Sequence, residues 1–88
     1  MYIIVVYDVN TKRVAKILKY LRRHINWIQN SVFEGEVTPA QYREIKAGIR
    51  QRIKESSDSV LFFSVRDEKI LKKEIVGQEL NAVDSSII

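Results

Sequence analysis

The chain has 88 residues, 45% of them hydrophobic and 30% charged, which is enough for one small core and too apolar for a disordered chain. Fifteen Lys and Arg against eleven Asp and Glu give a net charge of +4, a balance that favours a polyanionic partner. The absence of cysteine excludes a disulfide framework and any thiolate metal site.

The first predicted element is the unbroken apolar run Tyr2-Ile3-Ile4-Val5-Val6-Tyr7, which ends at Asp8. A β-branched run of this length predicts a strand buried on both faces. Asp8 then stands at the mouth of the strand on rigid backbone. A carboxylate placed there suits a catalytic acid, or a ligand for a hard cation such as Mg2+ or Mn2+. One carboxylate is a poor metal site, whereas two copies across a dimer axis make a credible one. The plainer role, capping the next helix, belongs more naturally to Asn10.

A helix is predicted from Asn10 to about His24, with Val14, Ile17, Leu18, Leu21 and Ile25 as its core stripe. Lys12, Lys16, Lys19 and Arg23 follow one another on the opposite side, and Arg13 and Arg22 flank the stripe. No Asp or Glu interrupts these cations. Exposed helices ordinarily mix signs, so this one-signed ridge points to the phosphates of a nucleic acid. His24 is the only histidine, and its charge would suit the helix C-terminus. No Ser or Cys motif accompanies it for nucleophilic catalysis.

Residues 26–37 carry two short predicted strands joined around Asn30-Ser31, with a bulge expected at Gly35. Trp27 and Phe33 have the chemistry to stack on bases, although aromatics of a small sheet more often fill its core. The second helix starts at Thr38, an N-cap followed by Pro39 in the first turn and by Gln41 as capping-box partner. Tyr42, Ile45, Ile49 and Ile53 form its apolar stripe, and Ser56-Ser57-Asp58 closes it. Ser59 to Val65 reads as another buried strand. Lys72 to Gly77 reads as a short, charged edge strand, and Asn81 to Ile88 as a loosely structured tail.

This order predicts an α+β fold, a ferredoxin-like βαββαβ unit with an additional C-terminal strand. Two helices cover one face of an antiparallel sheet, in a single domain over residues 1–80 followed by a tail over 81–88. The small core and the unpaired sheet edge favour a homodimer. The fold by itself hosts many activities. The RNA-recognition module shares the element order, but residues 31–37 lack its aromatic and basic third-strand signature. The three glycines do not cluster, which excludes a phosphate-cradling loop. No stretch approaches the roughly 18 apolar residues needed to span a bilayer, and the first strand lacks the flanks of a signal peptide. A soluble, cytoplasmic protein without membrane association is expected.

Three segments together resemble a known family: Tyr7-Asp8 at the first strand end, Arg13-Val14-Ala15, and Gln29-Asn30-Ser31-Val32-Phe33-Glu34-Gly35. They are similar to the second of the CRISPR-associated proteins, small ferredoxin-like partners in spacer acquisition. The match runs on through Ile75-Val76-Gly77, which separates it from a toxin-type ribonuclease of the same fold. The resemblance implies a metal-dependent endoribonuclease. In it, the two Asp8 side chains of a homodimer face each other and hold Mg2+, with Tyr7, Ser31 and Phe33 in support. The terminal strand would pair with the partner protomer's sheet. The implied substrate is single-stranded RNA, duplex DNA or both, and Lys12, Arg13, Lys16, Lys19 and Arg23 are the expected phosphate contacts. The resemblance equally implies an alternative of another class: a non-catalytic adaptor that binds duplex DNA and bridges CRISPR integrase subunits. Some relatives carry Arg where this chain has Trp27, so that nucleic-acid contact has no counterpart here.

Overall fold

A computed structural model describes residues 1–80, and the expected tail over 81–88 lies outside them. The elements are β1 (Tyr2–Asp8), α1 (Thr11–Arg22), β2 (Asn26–Gln29), β3 (Val32–Glu36), α2 (Pro39–Arg50) and β4 (Ser59–Val65). A short 3-10 turn, Glu68–Ile70, follows. The sheet has the order β2-β3-β1-β4, with every neighbouring pair antiparallel, which is the ferredoxin-like arrangement. β1, the most apolar run, is an inner strand with a ladder on each side.

Alternation along β1 sorts its side chains onto two unequal faces. Ile3, Val5 and Tyr7 point to the helical layer and are buried with Phe33, Ile17, Tyr20, Leu21, Ile45 and Ile49. Ile4 and Val6 point the other way and are only half-buried, and Asp8 on the same face is exposed. The expectation that β1 is buried on both faces therefore fails for the single chain, because both helices pack on one side.

Both helices start where their side chains can satisfy the free N–H groups of the first turn. Asn10 Oδ1 accepts from the backbone N–H of Lys12 at 3.0 Å. At Thr38 the reciprocal capping box with Gln41 is complete, at 3.1 and 2.8 Å. The helices meet closely because Gly48 of α2 lies under Tyr20 of α1, where a Cβ would stand 1.9 Å from the phenol oxygen. Tyr20 is held in place by a hydrogen bond to the Glu44 carbonyl and by the Arg52 guanidinium over its ring.

Three expectations are corrected. The bulge falls in β2, between Trp27 and Gln29, and Gly35 pairs regularly with Ile3. Gly35 is needed instead for close packing, since a Cβ there would come within 2.7 Å of Ile25. β4 is an edge strand, not a buried one: Leu61 and Phe63 are 53% and 55% exposed on the face away from the helices. Residues 72–77 form no strand. A strand needs a partner, and within one chain this segment instead sends Lys73 to an ion pair with Glu34 on β3. Glu34 is opposite Ile4 in the ladder and therefore belongs to the face away from the helices. Tyr2, on that same face, is buried, and burial together with Glu34 and Glu68 pushes its phenol well above the usual value.

Candidate metal and nucleic-acid site

Asp8 is the last residue of β1 and pairs with Ser59, the first of β4. Among the described residues its carboxylate has neither a hydrogen bond nor an ion pair. The register places Val6 opposite Leu61 and Ile4 opposite Phe63, so Asp8 shares one sheet face with a half-exposed apolar patch. An accessible oxygen donor of this kind suits a hard cation. The described residues of one protomer contain no group of three His, Cys, Asp or Glu that could hold a metal, so Asp8 offers a cation a single side-chain carboxylate. A hard cation that keeps most of its waters fits one such carboxylate, and a second Asp8 from another copy would fit it better.

Tyr7 and Phe33, the expected supporting aromatics, stand on the opposite face. Phe33 has no exposed surface, and its ring lies 6.3 Å from that of Tyr7. Burial pushes the Tyr7 phenol above its ordinary value, opposed by a contact with the Ser31 hydroxyl and by the charge of Arg22. The Tyr7 backbone N–H also donates to the Ser31 carbonyl at 3.1 Å. Tyr7, Ser31 and Phe33 are thus brought together, but as part of the core beneath the strand end and not beside the Asp8 carboxylate. Trp27 is half-buried, and its indole N–H donates to the Asn30 carbonyl at 3.1 Å across the β2–β3 turn. Asn30 takes a left-handed conformation there, φ 43°.

The cations divide in the same way. Lys12, Lys16, Lys19 and Arg23 are exposed along the outside of the helical layer. That surface is on the far side of the sheet from Asp8, and only Lys12, in the first turn of α1, lies near the end of β1. Arg13 is already engaged within the fold. Its guanidinium grips Asp58 through Nε and through Nη2, the latter at 2.9 Å. His24 packs against Tyr20 in a tilted contact, with ring centroids 4.8 Å apart.

Asp58 is the residue that sequence reasoning missed. Its side chain has no exposed surface, yet it stays charged. The Arg13 guanidinium first, then N–H donation from Lys54 and Asn10, outweigh the effect of burial and hold its carboxyl well below the usual carboxylate range. A lowered folded-state value means that stability is fully present above the unfolded-state value near pH 4 and drains away as pH falls below it. Denaturant titrations should therefore show wild-type stability dropping between about pH 5 and pH 2. Asp58→Asn should start lower, by about 5 °C or more in Tm, and lose less over that interval. The one clue in the sequence was an acid directly before an apolar strand.

The profile of the family described as CRISPR associated protein Cas2 matches residues 1–73. The chain belongs to the Cas2 family. A Cas2 protein of Methanocaldococcus jannaschii, named a CRISPR-associated endoribonuclease, is 52% identical over 99% of this chain and 76% of its own length. The Pyrococcus furiosus Cas2 protein with the same description is 49% identical over 99% of this chain and all of its own length. A crystal structure of a Cas2 protein superposes with a TM-score of 0.82 at 43% identity, covering 90% of this chain and 88% of the other. The Cas2 fold and the open sheet face that carries Asp8 thus occur here together. No helix among the described residues is long and apolar enough to cross a membrane.

Proposed function

We propose that the chain is a homodimeric, Mg2+- or Mn2+-dependent endoribonuclease in which Asp8 of each protomer supplies a metal ligand. The observation that carries this reading is the shared face: Asp8, Ile4, Val6, Leu61 and Phe63 all lie on the side of the sheet away from α1 and α2. Burying that patch against a second copy would bring into one interface two carboxylates that have no partner among the described residues. The endoribonuclease names of the M. jannaschii and P. furiosus relatives support RNA as the substrate. A bound cation would lower the pKa of an attacking water and offset charge developing on the phosphate. The chain's own contribution is to hold Asp8 on a fixed strand end, with Lys12 the α1 cation near enough to attract a phosphate toward it. The test is cleavage of single-stranded RNA and of duplex DNA, with and without chelator, by wild type and by Asp8→Asn. The substitution keeps size but removes one charge per protomer, so RNA cleavage should fall at least about 100-fold while the dimer survives. Equal cleavage by the highly purified mutant would remove Asp8 from the mechanism.

A second reading, a non-catalytic adaptor that bridges CRISPR integrase subunits on duplex DNA in spacer acquisition, has its own support. The α1 ridge faces away from Asp8, so nucleic acid held along it is not delivered to the carboxylate. Changing Lys12, Lys16 and Lys19 together to Gln should weaken duplex binding and reduce the slope of log affinity against log salt by about one unit per lost contact. An unchanged slope would reduce the ridge to a solubilising surface. In this reading, duplex binding and integrase association persist in Asp8→Asn. The expected cytoplasmic location remains part of both readings.

A further inference from the structure

We propose that Asp58 and Arg13 are positioning residues for Asp8: the buried pair clamps the β1–α1 junction and thereby fixes where the Asp8 carboxylate stands. The inference rests on the reading of Asp8 as a metal ligand and adds the residues that hold it.

The geometry is a short closed circuit. Asp8 pairs with Ser59 at the end of the β1–β4 ladder, and Asp58 is the residue directly before Ser59. Two residues after Asp8, the backbone N–H of Asn10 donates to Asp58 Oδ1 at 3.0 Å. Asp8 is therefore bracketed on one side by the ladder and on the other by the Asp58 carboxylate, with only Val9 between the two fastenings. Asp58 is itself held from two further directions. The Lys54 N–H donates to its Oδ2 at 2.9 Å, and Arg13 reaches both carboxylate oxygens from the first turns of α1. Strand end, helix start and the segment after α2 converge on one carboxylate, whose side chain has no exposed surface.

A charge buried this completely is costly unless it is paired and saturated with donors, and an apolar filler would close the same space more cheaply. What the ion pair adds is direction. A bidentate guanidinium–carboxylate contact tolerates little rotation, so the junction has one geometry. Outer partners that hydrogen-bond a metal ligand directly are typically worth 10- to 100-fold in metal binding, and here the hold reaches Asp8 through the backbone between Ser59 and Asn10. Arg13 thus acts through Asp58 on Asp8.

The deciding measurement is Mn2+ affinity of the full-length protein, followed by loss of the free-ion EPR signal, alongside Tm and sedimentation. Wild type is compared with Asp8→Asn, Asp58→Asn, Arg13→Gln and Arg13→Lys. Asp8→Asn should abolish Mn2+ binding. Asp58→Asn and Arg13→Gln should raise the Mn2+ Kd about tenfold or more while the protein stays folded and dimeric. Arg13→Lys, which keeps the charge and loses the fork, should fall between them and wild type. Should Asp58→Asn fail to fold, the two Arg13 variants decide the matter. Wild-type Mn2+ affinity in folded Arg13→Gln, with binding lost in Asp8→Asn, would make the pair a purely structural clamp and overturn the proposal. Wild-type affinity in Asp8→Asn would instead overturn the metal-ligand reading, and leave the pair with no ligand to position.

Discussion

Leu61→Glu combined with Phe63→Glu should produce a folded monomer that no longer cleaves RNA, although Asp8 is untouched. Both side chains are more than half exposed on the face away from α1 and α2, so the isolated fold gains little from them. Their value lies in the dimer. Full burial of a Leu or Phe is worth roughly 1.5–3 kcal/mol, so completing the burial of a half-exposed side chain contributes about 1 kcal/mol. Four such side chains in a symmetric pair amount to about 4 kcal/mol, on the order of a thousandfold in Kd. Four carboxylates placed in the same interface would also have to be desolvated beside one another, which pushes the equilibrium further toward the monomer. Sedimentation velocity should show the mass halved, with Tm of the folded chain little changed, and metal-dependent cleavage should fall with the dimer fraction. A tight dimer with full activity would mean that the open sheet face is not the interface and that Asp8 has no opposite number across it.

Phe33→Ala should cost about 3–5 kcal/mol, a large part of the roughly 5–15 kcal/mol that holds a domain together. Phe33 has no exposed surface and packs against Tyr7 in the layer between sheet and helices. A drop of about 12 °C or more in Tm is expected for a chain of this size. Phe33→Leu keeps most of the volume and should cost only about 1.5 kcal/mol or less. RNA affinity of Phe33→Leu, measured well below its Tm, should match wild type, because a buried ring has no face to offer a base. The opposite pattern, intact stability in Phe33→Ala with weakened RNA binding, would return Phe33 to the substrate surface.

Much of the architecture was legible in order and spacing. The Asn10 and Thr38 caps, Pro39 and Gln41, and the turn at Asn30-Ser31 are local chemistry: each works within a few residues of itself, and each is found where the sequence places it. β4 runs from Ser59 to Val65 as its apolar run predicts. The errors have a common cause in distance along the chain. Apolar runs look alike whether one face or two are covered, so the exposure of Leu61 and Phe63 was invisible until both helices were seen on one side. The strand expected over 72–77 needs a neighbour that this chain does not provide among the described residues, and Lys73 pairs with Glu34 instead.

The candidate site divides along the same line. The sequence by itself determined that a lone acid ends a rigid strand, and that a one-signed helix follows it. Only the tertiary structure decided that Asp8 and the cations at Lys16, Lys19 and Arg23 lie on opposite sides of the sheet, because strand alternation and helix rotation are set by what each element packs against. It also decided that Arg13, flanking the apolar stripe, meets Asp58. Forty-five residues separate Arg13 from Asp58, and no local pattern can signal a contact across that distance. The pairing exists because α1 and β4 are folded against the same end of β1, where a buried carboxylate must find a cation.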